Sequence, residues 1–236
     1  MTTFVLVHGG GHGGWCWQRA ARLLRAAGHD VHAATLTGFG ERAHLAAPSF
    51  ETFVTDVTSL LAMEDLHDVV LVGHSMGGTI VPGVTEAMPE RIAVAVWLAA
   101  VVTDDGETLL DAIPQTEWTA QAVTLLDDGT PVTDHDLLLD AILQDGTDAD
   151  RAWVRARHRD YPKHALVEPG RLSAFLALGK PTAYIAAQDD RAIPLPLARR
   201  FADRLGSPAY REVPGSHDVM ISRPHDVAEA LIEVLA

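Results

Sequence analysis

The chain has 236 residues, of which 47% are hydrophobic, and its 32 acidic against 18 basic residues give a formal charge of −14 at pH 7. This charge repels phosphate backbones and anionic membrane surfaces, so nucleic acid and membranes are not expected as partners, and no apolar run reaches the roughly 18 residues of a membrane-spanning helix. Cys16 is the single cysteine, which excludes an internal disulfide, and we expect it to be packed rather than reactive.

Strand and helix patterns alternate over the first hundred residues. The apolar start of the chain is short and lacks a basic leader, so it predicts a first strand rather than a secretion signal, and the expected location is cytoplasmic. Ser49 is a candidate N-cap and Gly28 a candidate glycine just after a helix. The elements predicted in chain order are strand 4–7, helix 15–27, strand 31–35, helix 50–61, strand 69–72, helix 79–88 and strand 93–102.

The alternation lapses between residues 103 and 179, where short helical patterns stand between acidic and proline-containing breaks. We interpret this stretch as an inserted, largely helical cap and call it the cap segment; residues 1–102 and 180–236 form the predicted core. The pattern then resumes. The elements predicted from residue 134 onwards are helices 134–143 and 149–158 in the cap segment, strand 182–187, helix 195–205, strand 210–213 and a last helix from residue 225.

This pattern predicts an α/β fold with a mostly parallel, doubly wound sheet, in which ligands bind beyond the carboxyl ends of the strands. At one such end, Gly73-His74-Ser75-Met76-Gly77 fits G-x-S-x-G. This motif is typical of a tight strand-to-helix turn that exposes a serine nucleophile. A solvated serine in a glycine turn is the alternative, but it leaves the two motifs described next without an explanation.

A serine nucleophile needs donors for the developing oxyanion and a base beside it. The glycine loop His8–Gly11 after the first strand is of the type that supplies a backbone donor, and we assign the donors to the N–H groups of Gly10 and Met76. His8 and His12 do not indicate a metal site, because they lie in a glycine loop without a carboxylate signature.

The base and its acid follow in the chain order serine, acid, histidine. His217 comes just after the last predicted strand, and Asp190 follows the strand before it. Asp189 is the nearest rival to Asp190, and Asp104 or Asp105 are weaker ones.

Several segments resemble the plant methylesterase and hydroxynitrile lyase family and its bacterial esterase relatives, within the α/β-hydrolase superfamily. The similarity covers most of the chain and is weakest in the cap segment, and the turn at Asp190 aligns with the family's acid-containing turn. The segments that carry the resemblance are FVLVHGGGHGGWCW (4–17), LTGFGERAHL (36–45), GHSMGG (73–78), VWLAA (96–100), DDRAIP (189–194) and GSHDVMISRP (215–224).

The resemblance implies hydrolysis of small esters without a cofactor or metal, through an acyl-enzyme on Ser75. The lyases of the family place a threonine after the loop histidine and a lysine after the catalytic histidine, where this chain has Gly9 and Asp218. The esterases have an apolar residue at the second position. A carboxylate there either disfavours anionic substrates or points to solvent.

Some alternatives stay open on the sequence. The same triad also suits lactone opening, thioester hydrolysis, carbon–carbon bond hydrolysis and acyl transfer. A non-catalytic ligand receptor on this fold is a less favoured hypothesis. The oligomeric state is open as well, with a homodimer as one option. Aromatic residues of the cap segment are expected either to contact substrate or to form the core of that segment: Trp118, Trp153, Tyr161 and Phe175.

Overall fold

The structure is a computed structural model that describes residues 1–46, 49–113, 121–206 and 208–235. Its strands are β1 Thr3–Val7, β2 Asp30–Ala34, β3 Val69–Ser75, β4 Ile92–Ala100, β5 Val123–Leu125, β6 Pro131–Thr133, β7 Thr182–Ala187 and β8 Ala209–Val213. Its α-helices are α1 Gln18–Ala26, α2 Phe50–Met63, α3 Gly77–Ala87, α4 Leu109–Ala112, α5 His135–Ile142, α6 Asp148–Arg155, α7 His164–Val167, α8 Ser173–Ala177, α9 Leu195–Arg204, α10 Val219–Ser222 and α11 Pro224–Glu233.

Six strands form one parallel sheet in the order β2-β1-β3-β4-β7-β8. Strand β2 lies on one side of β1, whereas β3 lies on the other side, followed by β4, β7 and β8. The order therefore reverses next to β1 and β3, and the carboxyl ends of parallel strands leave a crevice at such a point. The predicted doubly wound parallel sheet is confirmed.

Side chains alternate between the two faces of the sheet, because successive residues of a strand point in opposite directions. In β1, Val5 and Val7 pack on one face while Phe4 and Leu6 pack on the other. The first face is covered by α2, α3 and α9 and the second by α1 and α11. Burial on both faces explains why the strands are nearly continuous apolar runs in the sequence.

The helices of the core lie close to where the sequence predicts them. Helix α1 ends in the bonding pattern expected at a glycine, with Gly28 at φ +87° and the His29 N–H donating to the Leu24 carbonyl. Ser49 does stand at the N-cap position of α2, but its side chain makes no capping hydrogen bond. In the described ranges, no helix is both long and apolar enough to cross a membrane.

The cap segment lies between β4 and β7 and contributes helices α4 to α8 and the antiparallel hairpin β5–β6. The hairpin is absent from the sequence-based prediction. Its signal is the turn at Asp128-Gly129, where Gly129 has φ +77° and the Leu126 N–H donates to the Thr130 carbonyl. The boundaries of the cap as a separate unit stay a prediction.

Candidate active site

Ser75 lies in the tight turn between β3 and α3, half-buried at the carboxyl edge of the sheet. Its φ of +52° is unusual for a residue with a side chain and indicates local strain. A Cβ added to Gly73 would stand 2.6 Å from the Gly77 carbonyl oxygen, and one added to Gly77 would stand 2.7 Å from the His8 carbonyl oxygen. Both glycines are therefore required by close backbone approach, which explains the spacing of the motif.

A bulge in β4 faces this turn. The register between β3 and β4 shifts between His74 and Ser75, and Ala99 takes the extra position with φ +43°. The Val101 N–H then donates to the Ser75 carbonyl at 3.1 Å. The bulge thus fixes the backbone of Ser75 from the neighbouring strand, a common use of bulges beside functional sites.

His217 and Asp190 form a buried pair in the loops after β8 and β7. His217 Nδ1–H donates to Asp190 Oδ2 at 2.7 Å, and the other carboxylate oxygen, Oδ1, accepts the N–H groups of Ala192 and Ile193, each at 2.8 Å. The two side chains are 5% and 0% exposed. Both oxygens of Asp190 are therefore satisfied, and one ring nitrogen of His217 is held in place.

The other three candidate acids, Asp189, Asp104 and Asp105, lie away from His217. Asp189 is exposed, and its backbone carbonyl accepts a hydrogen bond from the Gln144 side chain at 2.6 Å. Asp104 pairs with Arg204 at 3.2 Å, and Asp105 accepts the Leu172 N–H at 2.6 Å. The structure brings Asp190 to His217 and leaves these three apart from it.

His217 and Ser75 line the same cavity. Burial alone would lower the pKa of His217, but the charge of Asp190, the hydrogen bond to it and the charge of Asp218 together raise that pKa above its usual value. In the described part of the chain, the Ser75 hydroxyl has no hydrogen-bond partner, which is common for a nucleophile in the absence of substrate.

His74 contacts both the backbone and the ring of His217. It is fully buried, its Nε2–H donates to the His217 carbonyl at 3.0 Å, and the two rings lie 4.8 Å apart. Burial is the main reason why the pKa of His74 lies well below its usual value, with a further contribution from His217. His74 is therefore a neutral donor that helps to fix the loop of His217.

The His8 side chain holds the start of the glycine loop after β1 through hydrogen bonds to two backbone groups. His8 Nδ1–H donates to the Gly9 carbonyl at 2.7 Å, and His8 Nε2 accepts the Leu36 N–H at 3.0 Å. Burial lowers the pKa of His8 to about 3, so the ring is neutral with both nitrogens in use. Gly10 borders the cavity, and a Cβ there would stand 1.8 Å from the Tyr161 ring of the cap segment.

A second histidine–carboxylate pair stands beside the first. His12 Nε2 lies 3.0 Å from Asp218 Oδ2, and His12 Nδ1 lies 2.8 Å from the Gly10 carbonyl. The two side chains are 3% and 0% exposed. Asp218 therefore does not point to solvent, which corrects that option of the sequence analysis; the fold places the His12 loop next to it, and sequence spacing gave no sign of this contact.

The cavity wall is mostly aliphatic away from the reacting groups. Tyr161, one of the four predicted aromatics, lies on it. Phe175 instead packs against Trp97 in the core. The Trp153 ring contacts the Trp15 ring and the guanidinium groups of two arginines, Arg19 and Arg157. Trp118 lies outside the described residues. Phe175 and Trp153 are absent from the described cavity lining, so for these two rings the structure favours packing over substrate contact.

Sequence reasoning missed the aliphatic residues that the cap segment turns toward the cavity. These residues lie mostly in or beside short helices and the hairpin, which are too short to show a clear hydrophobic periodicity. One signal was available: Thr108 and Asp111 form a capping box that marks the start of α4. The aliphatic lining residues of the cap segment are Leu109, Leu110, Ile113, Ala122, Val123, Leu138, Ile142 and Leu166.

Comparison with known proteins agrees with this architecture. The profile of the alpha/beta hydrolase family matches residues 4–230. A carbendazim hydrolyzing esterase from Nocardioides sp. (strain SG-4G) is 35% identical over 241 residues, covering 98% of this chain and 98% of that protein. Methylesterase 1 of Arabidopsis thaliana is 40% identical over 126 residues, covering 49% of this chain and 48% of the plant protein.

A solved structure is similar over nearly the whole chain. The crystal structure of a pyrethroid hydrolase from Sphingobium faniae JZ-2 matches with a TM-score of 0.82 and 26% identity, covering 98% of this chain and 96% of the other. The resemblance to plant methylesterases and bacterial esterases is confirmed by these relatives. The cap segment is included in the matched length.

Proposed function

Because the chain belongs to the alpha/beta hydrolase family, we propose that it is a carboxylic ester hydrolase that works through an acyl-enzyme on Ser75. The observation that carries this proposal is the buried His217–Asp190 pair on the same cavity as a serine held at φ +52°. The names of the relatives, an esterase and a methylesterase, support ester chemistry.

In the first half of the reaction, His217 takes the proton of the Ser75 hydroxyl as the oxygen attacks the ester carbonyl. The imidazolium that forms is stabilised by the Asp190 carboxylate. The proton then passes to the departing alcohol. The acyl group is left on Ser75.

The developing oxyanion is bound by the backbone N–H groups of Gly10 and Met76. Met76 is the N-cap residue of α3, so its N–H lies at the positive end of a helix where donors lack intrahelical partners. In the second half, water is activated by His217 and releases the acid from Ser75. No cofactor enters either half of this scheme.

The aliphatic wall of the cavity favours neutral esters with apolar groups, because a charged group would lose its hydration there. The cyanohydrin-cleaving alternative is disfavoured by Asp218. That carboxylate stands where the lyases have a lysine, and its buried partner His12 already uses both ring nitrogens. Lactones and thioesters share the attacked carbonyl and belong to the same test.

The test is Ser75→Ala with Ser59→Ala, an exposed serine on α2, as the matched control. We expect Ser75→Ala to reduce kcat on p-nitrophenyl acetate by about 10⁵-fold or more and to abolish labelling by a fluorophosphonate, because both need the nucleophile. Ser59→Ala should match the wild type. Retained turnover or retained labelling in Ser75→Ala would overturn the proposal.

A further inference from the structure

The buried pair of His12 and Asp218 has no role in the reaction scheme above. His12 belongs to the loop that carries the oxyanion donor, and Asp218 follows the proposed base directly in the chain. The pair therefore joins the two loops on which the reaction depends. Burying two charged groups is costly and contributes little net stability, so such a pair calls for another explanation.

The bonding pattern defines the charge of the pair. The Gly10 carbonyl oxygen can only accept a hydrogen bond, and so can an ionised carboxylate. His12 contacts the Gly10 carbonyl with Nδ1 and the Asp218 carboxylate with Nε2. Both ring nitrogens therefore carry protons, and the ring is a cation. Burial opposes this charge, but Asp218 outweighs it and raises the pKa of His12, while chiefly His12 holds the pKa of Asp218 at about 2 against its burial.

Most titratable groups packed around the pair carry no charge of their own near pH 7. Burial lowers the pKa of His74 and His158 well below the usual value and raises the pKa of Cys16 and Tyr161, so these four are uncharged near pH 7. His217 is the remaining neighbour that titrates. The titratable side chains come from β3, the two loops and the cap segment: Cys16, His74, His158, Tyr161 and His217.

The contacts of His12 bear on the oxyanion donor. Its ring holds the Gly10 carbonyl at 2.8 Å, and its backbone N–H donates to the Gly9 carbonyl at 3.4 Å. The Gly9 carbonyl and the Gly10 N–H belong to the same peptide unit, so His12 fixes the peptides on both sides of Gly10. A run of three glycines has no side chains to restrict it. The His8 ring shares the restraint on the Gly9 carbonyl, whereas the Gly10 carbonyl is held by the His12 ring.

The pair is also oriented relative to the cavity. His12 is one of the residues that line the cavity, whereas Asp218 is absent from the described lining and its side chain is 0% exposed. The positive end of the pair therefore lies closer to the cavity than the negative end. A fixed dipole of this direction stabilises an oxyanion without any reorganisation during the reaction.

We propose that His12, held as a cation by Asp218, is a positioning residue that fixes the Gly10 donor and turns positive charge toward the oxyanion. This inference rests on the proposed function. It assigns Asp218, the residue that departs from the pattern of the family's esterases and lyases, to the oxyanion side of the site. The Asp218 N–H also donates to the Ile142 carbonyl of α5 at 2.8 Å, so the same residue ties the pair to the cap segment.

The test is Asp218→Asn, because asparagine keeps the shape and removes the charge. Without the carboxylate, burial lowers the pKa of His12, so the ring becomes neutral and keeps only one of its two donated hydrogen bonds. We expect kcat on p-nitrophenyl acetate at pH 8 to fall about thirtyfold, with KM within threefold. The matched control is Asp30→Asn in the exposed pair of Asp30 and His32, 3.1 Å apart, which should match the wild type.

The pH profile separates positioning from other roles. The activity of Asp218→Asn should stay reduced from pH 7 to pH 9, because the buried His12 ring is neutral throughout this range once the carboxylate is gone. The acid limb of its profile should lie at lower pH than that of the wild type, because the pKa of His217 falls when the neighbouring charge is lost. A loss that is equal at all pH values, with no shift of the acid limb, indicates only a disturbed loop. A shifted acid limb with full activity at pH 8 indicates that Asp218 acts on His217 alone. Either result would overturn the inference.

A measurement on the wild type covers the case in which the variant does not fold. In protein labelled with ¹⁵N-histidine, the signals missing from His12→Gln identify the His12 ring, and we expect both of its nitrogens to carry protons at pH 7.5. A neutral ring would overturn the inference while leaving the proposed function intact. Absence of ester turnover in the wild type would instead overturn the proposed function.

Discussion

Two buried histidine–carboxylate pairs stand side by side in this protein, and they differ in what the second ring nitrogen meets. His217 binds Asp190 through Nδ1 and has its other edge on the cavity, whereas His12 binds Asp218 through Nε2 and the Gly10 carbonyl through Nδ1. The first ring can exchange a proton with substrate. The second has no nitrogen left and can act only through its charge and its hold on the loop.

The two carboxylates differ as well. Asp190 Oδ1 accepts two backbone N–H groups in addition to the contact of Oδ2 with His217. Asp218 Oδ1 is buried without a hydrogen-bond partner among the described residues. Asp190 is therefore held in place by its own turn, while Asp218 depends on His12 for its compensation. In the proposed scheme, the same two residue types serve proton transfer in one pair and positioning in the other.

The largest expected effect breaks the first pair. Asp190→Asn removes the charge that stabilises the imidazolium of His217 and the acceptor that fixes its tautomer, so we expect kcat on p-nitrophenyl acetate to fall by about 10⁴-fold. Steady-state kinetics at pH 8 measures the effect. A loss smaller than tenfold would mean that another acid serves His217, and circular dichroism checks that the variant is folded.

The next effect separates the pairs by stability. His12→Leu leaves Asp218 buried without its cation, and we expect the free energy of unfolding to fall by about 3 kcal/mol. Replacing both residues, as His12→Leu with Asp218→Leu, should restore most of the lost stability, because neither position then buries a charge. Urea unfolding at pH 7 measures both variants. If the double variant is as unstable as the single one, the loss comes from packing rather than from the uncompensated charge.

The smallest expected effect concerns the residue next to the first pair. Asp189 is exposed and its side chain makes no contact with His217 among the described residues. Asp189→Asn should therefore leave kcat within about twofold of the wild type, as is usual for exposed substitutions. The same assay as for Asp190→Asn provides the comparison. A large loss here would return Asp189 to the list of candidate acids.

The sequence was most informative where burial is uniform. Strands such as β4 and β7 are covered on both faces, so their apolar runs predicted them to within a residue or two. The cap segment was least predictable, because its elements are short and its apolar residues face either the core or the cavity. The hairpin β5–β6 and the core position of Phe175 are examples. Periodicity cannot distinguish these two destinations.

By itself the sequence determined the parallel sheet, the turn at Ser75 and the order of the proposed site residues, because glycine spacing and strand patterns depend on local geometry. Only the tertiary structure decided which acid meets His217 and which side chain Asp218 contacts. Asp190 and Asp218 are separated in the chain from the histidines they bind by 27 and 206 residues, respectively. Contacts at such separation arise from the packing of the loops at the sheet edge, and no local pattern encodes them.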